Sequence, residues 1–253
     1  MKYYVVSDIH GFYGILRDEL EKAGFFSDQE PHKLLVLGDL FDRGKEAVKL
    51  QDFIINLMNE DKVILIRGNH EDLFVKMVTE DGGRAYSHHR SNGTYDTALQ
   101  LTGFDPKTAR VEHVKFAYLA KKTPYYQKII PAMRNYYETE NYVFVHGWIP
   151  SERFLDKEYY VRWSYLEDWR DANEYKWEVA RWINGMEAVE FCKEKKTVVC
   201  GHWHTSFGHA NLENNGSEFG PDADFSPYIA GGIVALDACT AHSGKMNVYI
   251  VED

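Results

Sequence analysis

Asp8 and His10 stand two residues apart in Asp8-Ile9-His10-Gly11. In an extended segment, residues i and i+2 project to the same side, so a carboxylate and an imidazole would meet at one point. That pairing suits a metal ion of borderline softness. His202 and His204 repeat the spacing in Gly201-His202-Trp203-His204. Asp39 lies in Gly38-Asp39-Leu40-Phe41-Asp42-Arg43-Gly44, directly after an apolar run, and carries two oxygens that can bridge two cations. Asn69 and His70 are adjacent in Arg67-Gly68-Asn69-His70-Glu71. Their side chains therefore diverge, so one can meet a metal while the other faces a substrate. Val145-His146-Gly147 is the fifth such motif. Taken singly, an Asp after a strand is normally a cap or turn residue, and a lone His is normally a surface or core group. The signal is in the set: five of the eleven histidines sit in glycine-flanked motifs, each just after an expected strand.

The elements that would position these groups follow from periodicity. Residues 3–7, 34–37 and 63–66 read as short buried strands, each running into one of the first three motifs. A helix follows each: near 13–23, then through Ala47, Leu50, Ile54, Leu57 and Met58, then through Leu73, Phe74, Met77 and Val78. Strand, motif and helix repeated three times implies a parallel α/β sheet, and ligands of such sheets bind beyond the carboxyl ends of the strands. Residues 84–122 read as polar helices, with Asp105-Pro106 as a helix start. Two strands are expected around Glu138–Asn141, the second delivering His146. Residues 158–195 read as helical and interrupted at Gly185. Thr197–Cys200, Ile233–Ala238 and Met246–Val251 read as strands, and 210–228 as a long loop. The six tryptophans, all between Trp148 and Trp203, read as core or cap packing rather than as a ligand surface. His88-His89 reads as a solvated loop, with lining of the cap as the alternative.

The 253 residues fit within one hydrophobic core, which serves up to roughly 250–300 residues. We read 1–253 as a single domain, with 84–135 as a cap segment over the site. The formal charge of −10 argues against nucleic acid as a partner, because affinity for a phosphate backbone rests on Lys and Arg. The clusters at Lys121–Lys122 and Lys193–Lys196 are too short to change that. Three cysteines give no disulfide framework and suit a reducing compartment. No apolar run approaches the ~20 residues of a membrane helix, and an apolar strand starts directly after Met1-Lys2. The expectation is a cytoplasmic protein with no membrane partner.

In order and in spacing, the five motifs resemble those of the calcineurin-like metallophosphoesterases. Within them, Asp42-Arg43-Gly44 and Arg67-Gly68-Asn69-His70-Glu71 resemble the Ser/Thr protein phosphatase branch, which includes the symmetrical diadenosine tetraphosphate hydrolases. The resemblance spans residues 8 to 204 and is weak after 205. It implies a four-layer α-β-β-α sandwich with a small helical cap. It also implies two divalent transition-metal ions, Mn²⁺ foremost, with Fe, Zn, Ni or Co as alternatives. By the same resemblance, Asp8, His10, Asp39 and His204 hold metal 1, and Asn69, His146 and His202 complete metal 2, with Asp39 bridging. His70 protonates the leaving group and Asp42 orients it. Arg43 and Asn69 contact the phosphate, with Arg162 as a second arginine. The implied reaction is hydrolysis of a phosphomonoester, including that of a Ser/Thr phosphoprotein, by direct attack of a metal-bridging hydroxide. The alternative substrate is a dinucleoside polyphosphate. Ser7 and Trp148 replace glycines usual in the protein phosphatases, and a second histidine, His204, is added to the last motif.

Overall fold

The computed structural model describes residues 1–155, 157 and 160–253. Two sheets carry the fold. The first has the order β11-β1-β2-β3, from Tyr249–Glu252, Lys2–Val6, His32–Val36 and Val63–Leu65. The second has the order β4-β5-β8-β10-β9, from Tyr137–Glu138, Tyr142–Phe144, Thr197–Cys200, Ile233–Ala235 and Tyr228–Ala230. In each, the three strands that precede motifs run parallel: β1, β2 and the edge strand β3 in one, the inner strands β5, β8 and β10 in the other.

Alternation along the strands sorts the side chains into three cores. Tyr3, Val5, Leu35 and Leu37 meet Phe144, Val199, Val234 and Leu236 between the sheets. Their neighbours Tyr4, Val6, Leu34 and Val36 face outward onto α1 (Tyr13–Lys22), α2 (Ala47–Asn59) and α3 (Asn69–Thr79). Val143, Val145, Val198 and Cys200 face the opposite way onto Trp148, Trp169, Trp177 and Met186. The period of two in the strands thus produces the α-β-β-α layering directly.

The segment after α3 forms four short helices, α4 (Ser87–Ser91), α5 (Thr94–Thr102), α6 (Pro106–Val111) and α7 (His113–Ala120). Asp105 caps α6 by accepting the Thr108 N–H at 2.8 Å. Tyr95, Ala98, Ala109, Phe116 and Ala120 join the same core as α1–α3, so this segment is packed into the first helical layer.

Of the segment 158–195, expected to be helical, 158 and 159 lie outside the described residues, and the part before Trp169 differs from the expectation. Ser151–Leu155 (β6) and Val161–Tyr165 (β7) form a separate antiparallel hairpin, with Arg153 opposite Trp163. Val161, Trp163 and Tyr165 alternate with Arg162 and Ser164, a strand pattern that the overall Trp and Tyr content obscured. A single 3-10 turn at Trp169–Asp171 follows, and α-helix begins at Glu174–Ala180, capped by Asn173, whose side chain accepts the Lys176 N–H at 3.0 Å. Among the described residues, no helix is long and apolar enough to cross a membrane.

Candidate active site

Six loops leave the carboxyl ends of parallel strands and converge. From the first sheet they bring Asp8 and His10 (after β1), Asp39 (after β2), and Asn69 and His70 (after β3). From the second they bring His146 (after β5), His202 (after β8) and Asp237 (after β10). Backbone hydrogen bonds lace the loops together. His10 N–H donates to Asp39 O at 2.9 Å, Gly11 N–H to Leu40 O at 2.8 Å, and Gly201 N–H to His146 O at 2.7 Å. Gly38, at φ +87°, is forced: a Cβ there would lie 2.7 Å from Gly68 and 2.8 Å from the His146 ring. Nine described non-glycine residues have positive φ, and seven of them are Asp8, His10, Asp39, Asp42, Arg43, His202 and Cys239. Backbone strain is therefore concentrated on this one site.

Asp39 is its centre. Its carboxylate is buried, with Oδ2 3.9 Å from His10 Nε2 and 3.8 Å from His70 Nε2, and Oδ1 3.4 Å from His146 Nε2. Burial pushes its pKa well up, and the nearby Asp8 and Glu71 carboxylates add to that, against the pull of His70. Asp8 and Asp237 are likewise buried and raised, chiefly by desolvation, Asp8 to about 6. Ser7 Oγ–H and the His202 N–H donate to Asp8 Oδ2.

The imidazoles fall into two kinds. His10 Nδ1–H donates to Phe41 O at 2.8 Å, and His146 Nδ1–H donates to Leu37 O at 2.6 Å. Burial keeps both rings neutral, lowering His146 to about 4 and His10 well below its ordinary value. Each therefore turns an Nε2 lone pair into the site. The His146 lone pair lies 2.8 Å from Asn69 Oδ1 and 3.4 Å from Asp39 Oδ1. Three acceptors facing one another is an arrangement that a cation satisfies, so these residues fit a metal. His202 is also held neutral by burial, and its ring stands 5.1 Å from that of His146. His10, Asp39 and His70 form one group of close donors, and Asp39, His146 and His202 a second.

His70 is the other kind. Its Nδ1–H donates to Asp42 Oδ2 at 2.7 Å, a carboxylate rather than a carbonyl. Burial opposes its charge, but Asp39 and Asp42 outweigh burial and raise its pKa to about 9. A protonated ring has no lone pair to give a metal, and it has a proton to give a substrate.

A cavity of about 360 Å³ opens over the site. Of the sequence-nominated residues, Asp8, His10, Asp39, Arg43, Asn69, His70, His202 and His204 line it, while His146 and Asp42 stand one contact behind. His204 Nε2 lies 3.0 Å from Glu218 Oε1, and its Nδ1 has no hydrogen-bond partner. Arg162 is on β7, its guanidinium 5.5 Å from the Tyr160 ring, and it is not among the lining residues. His88 and His89 are on α4; buried His89 donates Nε2–H to Asp81 at 2.7 Å, and the three form a donor group away from this cavity.

Sequence reading missed several residues here. Asp237 follows a strand directly, as Asp39 does, and that signal was available. Thr94 and Thr97 left none. Thr94 Oγ–H donates to Asp42 Oδ2 at 2.7 Å and Thr97 Oγ–H to Asp42 Oδ1 at 2.8 Å. Thr97 also accepts the Asp42 N–H at 3.0 Å. Glu71, quoted only as part of a motif, is fully buried and accepts the N–H groups of Asp39, Leu40 and Gly68 and the Tyr125 hydroxyl at 2.8–3.1 Å. The tryptophans divide: Trp148, Trp169 and Trp177 are core, whereas Trp182 and Trp203 are exposed on the cavity wall.

Parts of the sequence, and the fold, are similar to those of named proteins. The chain is 38% identical over 71 residues to a symmetrical bis(5'-nucleosyl)-tetraphosphatase of Buchnera aphidicola, covering 28% of this chain and 24% of that one. It is 34% identical over 80 residues to serine/threonine-protein phosphatase 2 of Escherichia coli, covering 31% and 34%. The chain spans about half the length, or less, of the curated relatives named first among its matches. In fold, it resembles the crystal structure of a cold-active protein-tyrosine phosphatase from a psychrophilic Shewanella, with a TM-score of 0.55 at 16% identity over 100% of this chain and 75% of that one. The sequence profile of the calcineurin-like phosphoesterases matches residues 1–223. With that profile running through all six site-bearing strands but the last, this chain belongs to the calcineurin-like phosphoesterase family.

Proposed function

We propose that the protein is a dinuclear-metal-dependent phosphoesterase that hydrolyses phosphomonoesters, and that residues 1–253 act as a single catalytic unit. The observation that carries this is the buried Asp39 carboxylate with imidazole nitrogens facing both of its oxygens, the neutral ones anchored through Nδ1. Asp8, His10 and Asp39 would hold one ion, and Asp39, Asn69, His146 and His202 the other, with His204 and Asp237 available beside the first. The mixed N/O donors suit Mn, Fe, Zn, Ni or Co over Mg or Ca. When bound, two such ions supply Lewis acidity toward phosphoryl oxygens and a water acidic enough to react at neutral pH.

The chain's own residues do the rest. Arg43, exposed on the cavity wall, offers paired N–H donors to equatorial phosphoryl oxygens. His70 holds a proton on Nε2, facing Asp39 and the cavity, for the departing alkoxide. Asp42 keeps that proton in place, and Thr94 and Thr97 fix Asp42. A symmetrical dinucleoside polyphosphate is the second reading, supported by the tetraphosphatase relatives.

The test is a substrate panel of phosphopeptides, p-nitrophenyl phosphate and diadenosine tetraphosphate, run with each of Mn, Fe, Zn, Ni, Co and Mg. Chelation is expected to remove activity, and Mn²⁺ to restore it. At an ion concentration 100-fold above its Kd, each site adds about 2.7 kcal/mol, or about 5–10 °C in Tm for a chain of this size. Turnover that survives exhaustive chelation would overturn the reading.

Asp42→Asn removes the charge that raises the His70 pKa. The protonated form is then lost at lower pH, so the alkaline limb of kcat/KM against pH moves toward acid. Thr97→Val leaves that charge in place, so it is not expected to move the limb toward acid. A limb that stays in place in Asp42→Asn excludes His70 as the proton donor.

A further inference from the structure

Large apolar rings exposed to water are unremarkable when scattered and informative when gathered at one site. Here Trp182, Trp203 and Phe219 are 50%, 37% and 53% exposed, and all three line the cavity that holds the metal-ligand residues. Both indoles flank one imidazole: the ring of His202 lies 5.7 Å from that of Trp182 and 6.0 Å from that of Trp203, each edge-on. Phe219 stands edge-on to His204 at 4.6 Å.

The backbone that carries the first indole is anchored by its neighbour. Buried Arg181, the residue before Trp182, donates to Asp72 at 2.7 Å and to Glu174 at 2.6 Å, and Asp72 also takes the Arg67 Nε–H at 2.7 Å. The second is placed by its neighbours in the chain, His202 and His204. Rigid aromatic walls lose little conformational entropy when a flat ring lies against them, and their faces are electron-rich and sequence-tolerant in what they stack.

We propose that Trp182, Trp203 and Phe219 form a binding subsite for an aromatic ring on the leaving group of the phosphate ester. The ring would lie against the two indoles that flank His202. The proposal rests on the phosphoesterase reading above and adds its substrate class. Two sources share this chemistry: an aryl phosphate, with the ring on the bridging oxygen, and a nucleoside polyphosphate, with the ring a ribose and at least one further phosphate away.

The experiment compares kcat/KM, with saturating Mn²⁺, for O-phosphotyrosine, diadenosine tetraphosphate and O-phosphoserine in the full chain and its variants. Trp182→Ala and Trp203→Ala are expected to lower the aromatic-to-aliphatic ratio about tenfold, and Trp182→Phe to restore most of it. A fall for phosphotyrosine identifies the aryl source, and a fall for the dinucleotide alone identifies the nucleobase. A ratio that stays within about twofold in both alanine variants overturns the subsite and leaves the phosphoesterase reading standing. Because a misplaced His202 would slow all substrates together, the ratio separates lost stacking from a damaged metal site. A wild-type protein that turns over none of the three overturns both.

Discussion

Asp39→Asn is expected to lower metal-dependent phosphatase activity by about 10³-fold or more and, in the metal-free protein, to raise the melting temperature. The two effects have one cause. Asp39 is buried beside other carboxylates, and its pKa stands well above the ordinary range. A raised carboxylate pKa means that the folded state favours the protonated form. The stability it contributes is complete below the unfolded pKa and is lost as pH rises through the folded one. At neutral pH without metal, the charge therefore works against folding, and a neutral side chain of the same shape relieves it. The amide oxygen can still accept the His70 N–H, which Asp39 Oδ1 takes at 3.0 Å, so the loop keeps its geometry. What is lost is, among the described residues, the only carboxylate that belongs to both groups of close donors. Metal titrations followed by thermal melts should show the variant starting higher and gaining less. Wild-type activity in Asp39→Asn at ordinary Mn²⁺ would remove the basis for the two-ion site.

Glu71→Ala is expected to cost on the order of 4 kcal/mol, which is about 8–16 °C in Tm, and to take the activity with it. Glu71 touches no cavity surface. Its carboxylate collects the N–H groups of Asp39, Leu40 and Gly68 and the hydroxyl of Tyr125. One side chain at the start of α3 thus pins the Asp39 loop to the helix carrying Asn69 and His70. Removal leaves four donors without a partner inside the protein, and each unmet donor costs more than a formed bond contributes. Glu71→Gln keeps one acceptor oxygen and should fall between the two in chemical denaturation. Equal midpoints for wild type and Glu71→Ala would mean the network carries no stability.

Much of this site could be read in the sequence because its residues obey local rules. A carboxylate or imidazole directly after an apolar strand, next to a glycine, is visible in one dimension. The parallel strands guarantee that such positions share an edge, so Asp8, Asp39, Asn69, His146 and His202 were found without coordinates. Thr94 and Thr97 were not, because a threonine on a helix that donates across more than fifty residues looks like any other threonine. The hairpin at β6–β7 was missed for a different reason. Aromatic content was weighed over the whole segment, whereas the strand signal is an alternation confined to the five residues Val161–Tyr165, and its partner Ser151–Leu155 does not alternate. The tryptophans were treated as one cluster, although burial separates Trp148, Trp169 and Trp177 from Trp182 and Trp203. Composition cannot make that division, because it depends on which turn of chain faces the cavity.

Both hydroxyls that hold Asp42 come from α5, a helix that contributes none of the proposed metal ligands. Swapping that stretch for its counterpart from a related protein would therefore change how the partner of the proposed acid, His70, is held, with no change to the residues that line the cavity. Anyone grafting a foreign helix onto this scaffold should carry both hydroxyls across with it.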